Sequence, residues 1–269
     1  MFIDFHVPVY DEPGYGEALA DTARNIGLDR LCLMGGSARY GLAANAQVRH
    51  VADSYPELFV PFARIRLGQD GPSAVERLRR IGFSGLCTWA PPAPYDDEAF
   101  FPVYEAAQAL EMPVLFHTAY LPVTALDRPR GVRSANMRPV YLDTVARCFP
   151  RLTVVGVGLG NPWYEEAAET MRGNDNVFFD LSGRLLRQKG PEWLTDLLGE
   201  NQNNPWAAEQ EAQSLWRHVV FGSGVRQEDI ASVERDYERV FRWLGVAEEE
   251  TSAVMGQTAA RLLGIGGQS

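Results

Sequence analysis

The chain has 269 residues, 46% of them hydrophobic, which is enough for one large buried core. Its 25 Lys and Arg against 35 Asp and Glu leave a net charge of −10, and no basic run forms a stripe, so nucleic acid is excluded as an expected partner. No apolar stretch reaches the roughly 18 residues of a membrane span, and the three separated cysteines, Cys32, Cys87 and Cys148, read as reduced thiols of a cytoplasmic protein rather than a disulfide framework.

In chain order, short apolar runs alternate with amphipathic stretches. The runs are 2–8 (FIDFHVP), 30–36 (RLCLMGG), 58–65 (LFVPFARI), 83–90 (FSGLCTWA), 112–119 (MPVLFHTA), 151–158 (RLTVVGVG), 176–183 (NVFFDLSG) and 217–224 (RHVVFGSG). Each is rich in Val, Leu and Phe and ends near Gly, Pro or Ala, as buried parallel strands do. Helices are predicted between them. The stretch 15–28 places apolar residues at 18, 19, 23 and 26, with Thr22 on the same pattern, and stops at Gly27; 72–83 opens with Pro72 and closes at Gly82. The stretches 96–112, 137–150, 162–173 and 228–245 carry the same pattern, and 251–265 is a final helix.

Eight strands alternating with helices predict an α/β fold, a single-domain (β/α)8 TIM barrel over residues 1–269. The rival is an open doubly wound sheet, but no Gly-x-Gly-x-x-Gly follows the first strand. The long connections, 119–137 and 184–216, are expected to cover the mouth of the barrel.

Barrel chemistry sits at the C-terminal ends of the strands. His6 and His117 end the first and fifth runs, whereas His218 begins the eighth and His50 falls in a helical stretch. Asp180 ends the seventh run and shares a face with Ser182 by alternation; Asp4 and His6 are expected to share a face in the same way. His6, His117 and Asp180 are therefore the candidate catalytic set. Arg64, Arg66, Trp89 and Arg184 are the candidate substrate-binding residues, since a guanidinium at the mouth suits a carboxylate. The plainer alternatives stay open: two hydrogen-bonded core histidines, rim salt bridges for the arginines, and packing rather than nucleophilic duty for Cys87.

The order of "IDFH", "PVLFHTA", "VVGVGLGNPW", "NVFFDLSG", "HVVFGSG" and "GQTAARLLGI" resembles the amidohydrolase superfamily, most of all its amidohydrolase-related branch of small decarboxylases and lactone hydrolases. That resemblance implies a divalent metal, commonly zinc, held by His-x-His on the first strand and His on the fifth and sixth, with an aspartate on the eighth as acid or base. Transferred by position, His6 and His117 match two ligands. Pro8, Gly158 and Gly224 stand where the second strand-one histidine, the sixth-strand histidine and the eighth-strand aspartate would be; Cys87 falls near the usual lysine, and Thr258 replaces an asparagine. The expectation is a hydrolase or lyase for a small carboxylated ring or lactone, working without metal or with weak metal dependence, and with no resident cofactor. Two alternatives are carried beside it: an inactive barrel serving as a binding or subunit protein, and a metal-dependent hydrolase with a rearranged ligand set in which His6 and His117 hold zinc. Loss of side chains at Gly158 and Gly224 is also expected to open space for a bulkier ligand. The expected partner is a small molecule, and pairing among relatives leaves a homodimer open.

Overall fold

Strand β1 (Ile3–Pro8) is joined by helix α1 (Tyr15–Ile26) to β2 (Arg30–Met34), which lies parallel to it. The same step repeats through α2 (Asn45–Ser54), β3 (Phe59–Arg64), α3 (Pro72–Arg80), β4 (Gly85–Thr88), α4 (Phe101–Ala109), β5 (Val114–Phe116), α5 (Tyr141–Cys148), β6 (Val154–Gly156), α6 (Tyr164–Arg172) and β7 (Val177–Asp180). Two helices, α7 (Leu185–Gln188) and α8 (Pro191–Leu198), precede β8 (Val219–Val220); α9 (Ile230–Leu244), α10 (Glu248–Ser252) and α11 (Thr258–Leu262) complete the chain. The computed structural model describes residues 1–37, 40–121, 129, 131–183, 185–199 and 214–266.

All eight strands are parallel and run in order β1 to β8 in one sheet. Two backbone bonds bring its edges together, from Phe5 N–H to Phe221 O at 2.8 Å and from Gly224 N–H to His6 O at 2.8 Å. The predicted (β/α)8 barrel is therefore the observed fold, and every observed strand falls inside its predicted run.

Strand alternation sorts the core into two layers. Ile3, Phe5, Cys32, Phe62, Cys87, Leu115, Val155, Phe178 and Val220 fill the barrel, with Ala259 and Ala260 of α11 plugging its N-terminal end. Leu31, Leu33, Ala63, Leu86, Val114, Phe116, Phe179 and Phe221 face outward into the helices. Burial of both faces explains why the strands read as continuous apolar runs. Among the described residues, no helix is long and apolar enough to cross a membrane.

One strand breaks the alternation. Asp4 pairs with Leu31 but Val7 with Leu33, so β1 carries one extra residue. Phe5 packs inside the barrel, and His6, next in sequence, also lines the cavity at its mouth. The expectation that Asp4 and His6 share a face is corrected by this bulge.

Candidate active site

Each site residue is delivered by a strand end. His6 comes from the bulged end of β1. Its Nδ1 lies 2.9 Å from Oδ2 of Asp180, the last residue of β7. Asp180 is fully buried, and its other oxygen accepts backbone N–H bonds from Gly158 at 2.7 Å and Ser182 at 2.9 Å. His117 follows β5; its backbone N–H donates to Thr88 O at 3.0 Å, and its carbonyl accepts from the buried Tyr95 hydroxyl at 2.9 Å. The ring atom Nε2 of His117 is buried and has no hydrogen-bond partner.

His6 and His117 both line a cavity of about 180 Å³ at the C-terminal end of the barrel. Its remaining wall is mostly apolar and includes Pro8, Met34, Leu42, Leu115, Leu121 and Val157. The two histidines are driven in opposite directions. For His6, burial disfavours the charged ring, but the Asp180 carboxylate, helped by Asp4, outweighs it and raises the pKa. For His117, burial and then the neighbouring His6 charge push the pKa down to about 4. The cavity therefore pairs a histidine whose charged form is favoured with one that is neutral at pH 7.

Asp4 was not among the candidate residues, and it anchors the bulge. Its Oδ1 accepts from the backbone N–H of His6 at 3.0 Å and of Ser223 at 2.9 Å, while Oδ2 is buried without a partner. Burial raises this carboxyl to about 6, against the hydrogen bonds from Ser223 and His6. A carboxyl raised on folding favours the folded state fully below its unfolded pKa near 3.8, and that contribution is lost as pH rises through about 6. Asp4→Asn is therefore expected to remove about 3 kcal/mol of pH-dependent stability between pH 7 and pH 4. Urea unfolding of both proteins at each pH checks this; parallel pH curves would contradict it.

The arginines divide. Arg64, at the end of β3, has its backbone clamped by the Asn45 side chain, which donates to Arg64 O at 3.0 Å and accepts from Arg64 N–H at 2.8 Å. Its guanidinium stacks 4.2 Å from the centre of the Trp89 ring, and its Nε is buried without a partner. Arg66 is engaged instead by Asp70 in a two-pronged pair at 3.0 and 2.8 Å. Arg184 lies outside the described residues. Cys87 is buried, and burial, opposed by Arg64, pushes its thiol up to about 12, so it packs rather than attacks at neutral pH. His218 is buried at the opposite end, its Nδ1 2.8 Å from Val177 O, as a satisfied core histidine.

The two glycines at family ligand positions are built into the site. Gly158 has φ +62° and begins a left-handed run with Leu159 at +47° and Gly160 at +67°, which presents the Gly158 N–H to Asp180. Gly224 has φ +63°, and a Cβ there would lie 2.9 Å from Ser182 Cβ and 3.2 Å from His6 Cε1. A Cβ on Gly158 would meet Ser182 O at 3.3 Å. The expected open space is therefore absent: Ser182 and His6 fill it. Gly224→Asp is expected to destabilise the fold by about 2 kcal/mol through overpacking and backbone strain. It should also yield no stoichiometric zinc in the purified protein. Unchanged thermal stability, or one zinc per chain, would overturn this.

The comparisons with known proteins fit this frame. The amidohydrolase family model matches residues 36–265. The chain belongs to the amidohydrolase family. The match starts after β1, so His6 lies outside it. No curated protein matches the sequence. Among solved structures, an uncharacterized TIM-barrel protein from Bordetella bronchiseptica is 20% identical with a TM-score of 0.69, covering 98% of each chain. The 5-carboxyvanillate decarboxylase of Sphingomonas paucimobilis is 16% identical with a TM-score of 0.65, over 98% of this chain and 99% of that one. A probable 2-pyrone-4,6-dicarboxylic acid hydrolase from Acinetobacter baumannii, with citric acid bound, is 14% identical with a TM-score of 0.62 over the same shares. At these identities the likeness establishes the fold.

Among the described residues, no three His, Cys, Asp or Glu side chains form a group able to hold a metal ion. Asp180 is also occupied on both oxygens, by His6 and by two backbone N–H groups.

Proposed function

We propose that this amidohydrolase-family barrel is a hydrolase or lyase for a small carboxylated ring or lactone, working through its histidines without a metal. The carrying observation is geometric: His6, locked to Asp180 at 2.9 Å, and His117, with a buried unpartnered Nε2, line one ring-sized cavity. A pair of titratable groups pushed apart by their surroundings divides the roles of acid and base. His6, whose protonated form Asp180 favours, is the acid and the electrostatic stabiliser of developing negative charge. His117, neutral at pH 7, accepts a proton from water or substrate through Nε2. Asp180 orients the His6 ring and holds its charge. Arg64 binds the substrate carboxylate, its guanidinium already braced by Trp89.

The unpartnered atoms support this reading over an inactive barrel. A buried acceptor without a partner costs about 1–3 kcal/mol, a cost that a bound ligand removes. The test is turnover of a panel of lactones and aromatic carboxylic acids by chelator-treated wild-type protein and by His117→Ala. Substrate consumption by the wild type alone supports the proposal. Equal background rates for both support a binding protein, and activity that appears only with added zinc supports a rearranged metal site.

A further inference from the structure

Resting on that reading, we infer that the ligand carries its anionic group on a short arm, not directly on the reacting ring. The site has two chambers. Beside the 180 Å³ cavity of His6 and His117 lies a second of about 110 Å³, and Tyr40 and Trp89 line both. An enclosed apolar cavity of about 150 Å³ takes a single benzene ring, so the main chamber is sized for one ring. The side chamber suits a carboxylate and a few methylenes.

Charge separates the two. Among the described residues, the main chamber has no lysine or arginine in its lining, and His6 is already paired with Asp180 at 2.9 Å. Two arginines line the side chamber, and among the described residues no acidic side chain lines it. Arg66 is taken by Asp70, which leaves Arg64 as the arginine without an ion pair among the described residues of both chambers, with Asp70 acting on it only at longer range. Its buried Nε has no partner. A carboxylate supplies the acceptor that this atom lacks.

The dividing wall is held in place. Ala90, directly after Trp89, sits at φ +53°, a left-handed conformation that a residue with a Cβ adopts only where its surroundings impose it. Its N–H reaches Met137 Sδ at 3.4 Å, and the Trp89 indole carries the Arg64 guanidinium. The chambers are also set apart by the barrel itself. Arg64 pairs in register with Cys87, and Cys87 with Leu115, so the arginine strand and the His117 strand are two strand spacings apart, about 10 Å. A carboxylate fixed to a ring under His117 does not cross that span past Trp89. One on an arm of two or three carbons does. The ligand class is therefore a ring-substituted short-chain alkanoic acid, or its lactone counterpart.

The experiment is calorimetric binding of benzoate, phenylacetate, 3-phenylpropionate and 3-phenylpropionamide. The proteins are wild type, Arg64→Gln and Trp89→Leu, each first checked for a cooperative thermal transition. In the wild type, affinity should rise about tenfold or more from benzoate to 3-phenylpropionate, the scale of one charge-assisted hydrogen bond. Arg64→Gln should abolish that gain and leave benzoate unchanged, and the neutral amide should bind as weakly as benzoate. Trp89→Leu, which keeps the charge but removes the wall, should flatten the dependence on arm length. The inference is overturned if benzoate binds as tightly as the longer acids, if Arg64→Gln weakens every acid equally, or if no acid binds. Because binding is read without turnover, a catalytically silent protein that still shows the arm-length dependence refutes the proposed chemistry and leaves this inference standing.

Discussion

His117→Ala is expected to lower turnover by about 10²–10⁴-fold at pH 7, the range contributed by a positioned general base. His117 Nε2 faces the site without a protein partner, and the ring is neutral at that pH because burial and the His6 charge hold its pKa near 4. Alanine offers no acceptor, and no other neutral imidazole lines the cavity. The variant should remain folded, within about 2 kcal/mol of the parent at pH 7, as expected for loss of a half-buried side chain. The acid branch provides an independent readout. A histidine depressed on folding contributes stability that is present above its ordinary value near 6.5 and lost as pH falls through about 4. Wild type should therefore lose about 3 kcal/mol relative to His117→Ala across that window. Retained turnover would sink the catalytic role, and identical acid unfolding curves would sink the assigned ionisation.

Asp180→Asn is expected to have the next largest effect, through His6. The carboxylate at 2.9 Å favours a proton on His6 against burial, so without it only the weaker pull of Asp4 opposes burial and the pKa falls. The alkaline limb of the pH–rate profile should shift to acid by at least about one unit. Asparagine keeps one oxygen for the Gly158 and Ser182 N–H groups but turns its NH2, a donor, toward His6 Nδ1. Breaking a buried pair costs about 3 kcal/mol. Since the folded pKa of His6 is raised, its stabilising contribution is complete below about 6.5 and disappears as pH rises through the raised value. The stability gap between wild type and Asp180→Asn should thus be widest at pH 6 and close toward alkaline pH. An unshifted rate profile, or a gap that widens with pH, would refute the dyad.

How far the residues themselves reached can be followed at single positions. The strands were legible because both faces of each are buried, which makes them apolar throughout; the helices were legible because Gly27 and Gly82 close their amphipathic patterns. His6, His117 and Asp180 were found because a parallel barrel puts its strand ends at one mouth. Asp4 was missed, since strand alternation carries no sign of the bulge that places Phe5 and His6 side by side in the interior. Arg64 and Arg66 looked equivalent, two residues apart on one run. What separates them is Asp70, which draws Arg66 away, and Trp89, which braces Arg64.

The amino-acid order alone determined the barrel, its family and the strand ends that meet at one mouth, because hydrophobic periodicity and the spacing of motifs are local properties. It also marked Pro8, Gly158 and Gly224 as positions without metal-binding side chains. Only the tertiary structure decided what replaced them. Gly158 gives its N–H to a carboxylate on a neighbouring strand, Gly224 makes room for Ser182 and His6, and the pKa values of the two histidines are driven in opposite directions in one cavity. Those outcomes depend on burial and on distances between residues more than 20 positions apart, as with Gly158 and Asp180, and neither quantity is written in a one-dimensional pattern.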